Sequence, residues 1–393
     1  MKAIKIASGV AIGALAAAIS AQSFAMGHAG GAESTVTFSG DLRVQTVIDL
    51  ENERQSHQMP GFNTPNEDWY NFTAVTGVTH GPFSGKLRIG IHEDQTDGLG
   101  SGSGSAGSGD NNGFVRVYDL RVDEGPVSFG QIGRITDSAG IYEDLTDETD
   151  IIGEDTGTRV GVDAALRYTL ADFGLRVQAE GNGGHPFGFA ASIHQDLGVA
   201  EVWADAQYRQ ATSAPATGME DGQTTFGAAV KLNPIDMLSL TAVVRNSSED
   251  LLDDTSYAAK AEVNITDTIS VYGLIADPAL DADDTTVMKV GASLGFAPIT
   301  VSGSYESLVA EAGEGLVIAK VAYAQDAIDA YGEVKYNMEG FQNAADAGMR
   351  FELGAGYTTD SGIKYQAVYA NSDENYWDGA DVNSVTLRAQ YSF

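Results

Sequence analysis

The last nine residues of the chain place an apolar side chain at every second position. Val385, Leu387, Ala389, Tyr391 and Phe393 alternate with Thr386, Arg388, Gln390 and Ser392. Successive side chains on a strand point to opposite faces, so this segment has one apolar face and one polar face. The pattern returns throughout the chain. Val36, Phe38, Leu42, Val44 and Ile48 alternate with Thr37, Ser39, Asp41, Arg43 and Gln45, and Leu175, Val177 and Ala179 with Arg176, Gln178 and Glu180. Val202, Ala204, Ala206 and Tyr208 alternate with Glu201, Asp205, Gln207 and Arg209. Tyr257, Ala259, Ala261, Val263 and Ile265 alternate with Lys260, Glu262 and Asn264, and Met349, Phe351, Leu353, Ala355 and Tyr357 with Arg350, Glu352 and Gly354. A charged row cannot be the packed interior of a small barrel. It suits a wide, water-filled lumen, with the apolar row turned towards lipid.

The connections between these segments follow their own rule. Short ones of turn-forming composition include His80–Ser84, Asp123–Pro126, Ala171–Gly174, Asp196–Gly198, Asn233–Asp236, Thr266–Thr268, Ala297-Pro298, Gln325–Ala327 and Thr359–Gly362. Gly, Asp, Asn and Pro supply the dihedrals a tight reversal needs. Longer polar connections run over 51–67, 95–112, 136–157, 211–222, 249–255, 277–285, 340–347 and 372–381. Short turns at one end and long loops at the other, in alternation, are expected of a transmembrane antiparallel β-barrel. Segment counting gives about twenty strands, and no stretch shows a sustained helical period with caps.

The ends agree with a membrane destination. Lys2 and Lys5 precede an apolar run from Ile6 to Ile19, and Ser23-Phe24-Ala25 supplies the small residues of a cleavage site. Residues 1–25 therefore read as a secretory signal peptide cut after Ala25, leaving 26–393 as the pore domain. Beyond the leader, no run approaches the roughly 18 apolar residues of a spanning helix, so any crossing is by strands. The net charge is −33, with 55 acids against 22 bases, which repels nucleic acid and anionic lipid and accumulates cations. There is no Cys, hence neither a disulfide framework nor a thiolate metal site.

The terminal strand, with Tyr391 and Phe393 as a candidate assembly signal, resembles the ending of Gram-negative outer-membrane β-barrel proteins. Phe129-Gly-Gln-Ile-Gly-Arg134 is similar to the Phe-Gly-x-x-x-Gly-Arg wall strand of the trimeric general porins, one residue shorter. Leu166-Arg-Tyr-Thr-Leu-Ala-Asp-Phe-Gly174 resembles that family's Tyr-x-Ser-Pro-x-Phe-x-Gly turn, with Thr169-Leu170 in place of Ser-Pro. The likeness covers Ser34–Leu42 and about residues 126–180, and elsewhere rests on pattern. It implies an outer-membrane location, contact with outer-membrane lipid and with the barrel assembly machinery, and a homotrimer. The strand count exceeds the family's roughly sixteen.

In that family the loop at the position of 136–157 folds into the barrel and narrows the pore. The resemblance thus makes Glu143, Asp144, Asp147, Glu148, Asp150, Glu154 and Asp155 candidates for the acidic side of a constriction. Arg43, Arg88, Arg134, Arg159, Arg167 and Arg176 are candidates for the basic wall facing it. Acids opposed to arginines across a narrow aqueous gap create a transverse field, in which rings of Asp and Glu favour cations.

Other chemistry has little support. The six histidines have no metal-ligand spacing, and Asp281-Ala-Asp-Asp284 lacks the Gly and distal Glu of a helix-loop-helix calcium loop. No catalytic constellation, metal site or cofactor motif is present, and an enzyme is not expected. The reading is a general diffusion porin for ions and small hydrophilic solutes, selective for cations. Its rivals are a substrate-selective channel for sugars or organic acids, which would use Trp203, Tyr272 and Tyr331 on the inward row, and a non-pore acidic surface or adhesive protein binding calcium.

Overall fold

The computed structural model describes residues 34–50, 54–56, 72–91, 114–132, 135, 137–149, 164–182, 185–209, 223–247, 255–277, 286–309, 315–338, 347–373 and 383–392. In chain order the strands are β1 (Ser34–Asp49), β2 (Arg54–Ser56), β3 (Phe72–His80), β4 (Phe83–Ile91), β5 (Phe114–Glu124), β6 (Val127–Gly130) and β7 (Ala164–Leu170). They continue as β8 (Leu175–Asn182), β9 (His185–Asp196), β10 (Ala200–Arg209), β11 (Gln223–Ile235), β12 (Leu238–Ser247), β13 (Thr255–Thr266) and β14 (Ile269–Asp277). The last are β15 (Val287–Phe296), β16 (Ile299–Leu308), β17 (Gly315–Gln325), β18 (Ile328–Asn337), β19 (Gly348–Thr358), β20 (Ile363–Ser372) and β21 (Asn383–Ser392). One helix, α1 (Asp137–Thr146), lies between β6 and β7.

Apart from the three-residue β2, which pairs only with the upper part of β1, every strand joins its sequence neighbours antiparallel. The ring is closed by β1. Its first half, Ser34–Leu42, pairs with β3, and its second half, Asp41–Asp49, pairs with β21. The result is an all-β barrel of 20 wall strands among the described residues, in line with the segment count of about twenty.

The turns fall where turn chemistry placed them: at Gly81-Pro82, Gly125-Pro126, Ala171–Gly174, Leu197–Val199, Asp267-Thr268, Ala297-Pro298, Asp326-Ala327 and Thr359–Gly362, and one residue late at Asp236-Met237. Gly174 shows why one of them needs glycine. Its φ is +56°, and a Cβ there would lie 1.8 Å from the carbonyl oxygen of His194. Asp326, at φ +53°, uses the tolerance of Asp for that region.

Two expectations are corrected. The loop end is not uniformly long, because only two residues separate β8 from β9. The chain also contains a helix where no helical period was recognised. Gly140 interrupts α1, and the apolar positions Ala139, Tyr142 and Leu145 recur every third residue. Intrinsic preference for a helix is therefore weak, and its stability comes from packing.

The two faces of the wall differ as alternation requires. Val202, Phe226, Val244, Met288, Leu353, Tyr357 and Leu387 are exposed on one face. Asp205, Gln207, Arg245, Lys289 and Glu306 are buried on the other. In a closed ring the exposed apolar belt is the outer surface, and the charged row lines the interior.

Candidate pore lining

Helix α1 leaves the wall after Gly130 and lies along the inner row of β10 to β14. Tyr142 and Leu145 form a buried cluster with Ala229, Val243, Ala258, Leu274 and Ala276, one or two residues from each of four wall strands. The Tyr142 hydroxyl donates to the carbonyl of Asp277 at 3.2 Å, and the Arg245 guanidinium lies 5.7 Å from the Tyr142 ring centre. Burial of this face supplies what the weak helix sequence lacks.

Wall charges secure both ends of α1. At the N-terminus, the backbone N–H of Ser138 donates to Asp205 Oδ2 at 2.7 Å, and Arg176 pairs with Asp137. At the C-terminus, Glu148 accepts from Lys260 Nζ at 2.8 Å, and its backbone carbonyl accepts from Lys289. A helix carries partial positive charge at its N-terminus and partial negative charge at its C-terminus, so a carboxylate at the first and ammonium groups at the second are each favourable. The last turn of α1 contains no basic residue, and β13 and β15 provide the missing cations. Thr146 and Thr149 hydroxyls satisfy further carbonyls of that turn, donating to Tyr142, Glu143 and Thr146.

The inner wall also carries a ladder of ion pairs, beginning beside the C-terminal end of α1. Lys289 and Glu306, directly opposite on β15 and β16, approach to 3.1 Å with side chains 7% and 0% exposed. Lys320 and Glu333 repeat the arrangement at 3.1 Å on β17 and β18. Lys364 reaches Asp329 at 2.9 Å across β19, where the absent side chain of Gly356 leaves the space. Aromatic rings also line this wall. Lys260 sits 5.2 Å from the Tyr272 ring centre and Lys320 5.1 Å from that of Tyr331, while Trp203 stacks on His194 at 4.8 Å. Both tyrosines cover a facing glycine, Gly291 and Gly354.

The acids and bases singled out from the sequence that fall within the described residues take several positions. Asp144 on α1 and Asp147 just after it are exposed, Glu143 is buried, and Glu148 binds the wall. Of the wall arginines, Arg176 meets the helix, through Asp137, and Arg167 Nε donates to Gln178 at 2.8 Å. Arg43 stands in register with Gln390, and Arg88 with Arg116. Tyr391 is half-exposed opposite Leu42 and Ile363. Arg134, Asp150, Glu154, Asp155, Arg159 and Phe393 lie outside the described residues. The partners that sequence reasoning did not supply for the helix are Asp205, Arg245, Lys260 and Lys289. The polar-row register of Asp205 and Lys260 was visible, but which residues they would meet was not. Among the described residues no group of His, Asp and Glu is arranged to hold a metal ion.

No family model matches the chain, and no curated protein matches it. Solved structures do. The outer membrane protein OpdK of Pseudomonas aeruginosa is 11% identical over 91% of this chain and 99% of its own, with a TM-score of 0.50. This is an outer-membrane β-barrel fold. At such identity the likeness extends to the fold and no further. OccK8 (OprE) of the same organism aligns at 9% identity over 92% of this chain and 98% of its own, with a TM-score of 0.47. A mutant porin of Rhodopseudomonas blastica aligns at 12% identity over 91% of this chain and all of its own, with a TM-score of 0.39.

Proposed function

We propose that the chain is an outer-membrane porin, a water-filled channel through which ions and small hydrophilic solutes diffuse passively. The observation that carries this reading is α1 laid against a charged inner wall, inside a closed barrel whose outer face is apolar. In this reading loop 136–157 is the constriction. Asp144 and Asp147 face the water-filled space, and Asp150, Glu154 and Asp155 extend the acidic edge. Arg43, Arg88, Arg134, Arg159, Arg167 and Arg176 supply the basic wall, and the exposed acids at the mouths tip the balance towards cations. Residues 1–25 are removed on export, Tyr391 and Phe393 are read by the assembly machinery, and the barrel associates as the trimer of the general porins.

Planar-bilayer recording across a salt gradient tests this directly. The expected result is ohmic channels with a reversal potential of cation-selective sign. Replacing Asp144 and Asp147 with Asn should move it towards anions. Failure to form channels removes the porin reading, and a reversal potential unmoved by the double substitution removes the constriction.

One observation favours a narrower reading. Trp203, Tyr272 and Tyr331 all lie on the inner wall beside charged groups, as a binding track for sugars or organic acids would require. A saturable conductance block by one such solute class, lost in Tyr272→Ala, would establish a substrate-selective channel instead.

A further inference from the structure

We infer that Gly227 and Asp205 form a dedicated seat for α1 on the inner wall, and that Gly227 sets how far the helix stands from that wall and so how wide the bore is. The inference rests on the pore reading and deepens it. Asp205, Gly227 and Arg245 form one cross-strand row on β10, β11 and β12, since Gly227 is in register with both of the others. Asp205 accepts the Ser138 N–H, which holds the first turn of the helix down on this row. Between the two charged neighbours Gly227 leaves a gap, and Ser138 occupies it. A Cβ built on Gly227 would lie 2.0 Å from Ser138 Oγ and 2.6 Å from Ser138 Cβ, closer than such atoms approach one another.

Something would have to give, and the backbone geometry says which side. Gly227 is bonded into the wall between two strands, whereas α1 is held by side chains and two ends. The helix would therefore lift away from the wall, into the lumen. A methyl group added behind the helix should narrow the channel, although nothing is added to the visible bore. Helical preference does not account for the contact, because Gly227 is in the wall. Strand preference does not ask for glycine there either, since glycine weakens a strand interior.

The test is single-channel conductance of the full chain in planar bilayers, with heat-modifiable gel migration as the measure of barrel assembly. Gly227→Ala should lower conductance. Adding Ser138→Gly, which removes both clashing atoms, should restore it. Gly273→Ala, at a strand glycine with open space around it, should leave conductance at the wild-type value. Unchanged conductance in Gly227→Ala overturns the seat, and so does a loss that Ser138→Gly fails to rescue. If Gly227→Ala does not assemble, Asp205→Asn serves instead. It should give noisier open channels as the first turn loosens, and quiet channels of wild-type size would likewise overturn the seat. Wild-type protein that assembles but forms no channel overturns the pore reading, and the bore-setting role with it.

Discussion

A single pair on the inner wall illustrates how costly its charges are. Lys289 and Glu306 are almost wholly removed from water, and each keeps the other from being an isolated buried ion. Removing one partner of a buried pair costs about 3–5 kcal/mol, mostly through the charge left behind. Lys289→Met should therefore lower the denaturation midpoint of the purified barrel sharply, and Lys289→Met with Glu306→Leu should recover much of the loss. A double variant no better than the single one would show that Glu306 has another obligation. On the outer face the sign of the problem reverses. Ala261 is exposed there while Lys260, its neighbour in sequence, points inward to Glu148. Arg at a lipid-facing midplane position costs about 2–4 kcal/mol. Ala261→Arg should accordingly destabilise the barrel in bilayers far more than Lys260→Ala, and equal losses would contradict the assigned faces.

At the scale of elements, the helix and the wall depend on each other unequally. The strands are closed by backbone pairing all the way round, so the ring does not require α1 for its hydrogen bonds. The helix, with Gly140 in its middle, requires the wall. Replacing residues 138–149 by a short Gly-Ser connection should leave a heat-modifiable barrel with raised single-channel conductance. Loss of the folded band would make the Tyr142 cluster indispensable to assembly. The same asymmetry explains what could be read from the sequence. Period-two rows and turns such as Ala171–Gly174 are local, and so strand positions, faces and reversals were legible. What holds α1 is not local: Ser138 meets Asp205 67 residues away, and Glu148 meets Lys260 112 residues away. An inward lysine announces its face but not its partner. The acidic loop was conspicuous by composition, yet Glu143 and Glu148 are taken up by the helix and wall, leaving Asp144 and Asp147 as its exposed charges among the described residues.

For the whole molecule, charge is the governing quantity. The sequence carries a net charge of −33, whereas the described inner wall sets bases against acids in pairs such as Lys289 with Glu306, Lys320 with Glu333 and Lys364 with Asp329. Exposed charges are screened beyond about 8 Å at physiological ionic strength and about 3 Å at 1 M. The cation preference proposed for the channel should therefore fall steadily as salt rises, measured as reversal potential at a fixed concentration ratio. A preference independent of salt would place the selecting acids in a site sheltered from bulk ions.

The double role of β1 bears on where the ring can be opened. One half of that strand holds β3 and the other half holds β21, so the two ends of the wall are already stitched side by side. A circular permutant could keep this seam as an ordinary hairpin and open the ring at another reversal, such as Asp267-Thr268. The product would contain every wall strand but would end on β13 rather than β21. If it still inserts, strand order around the circumference is enough for insertion. If insertion fails while refolding in detergent succeeds, what matters is which strand comes last off the ribosome.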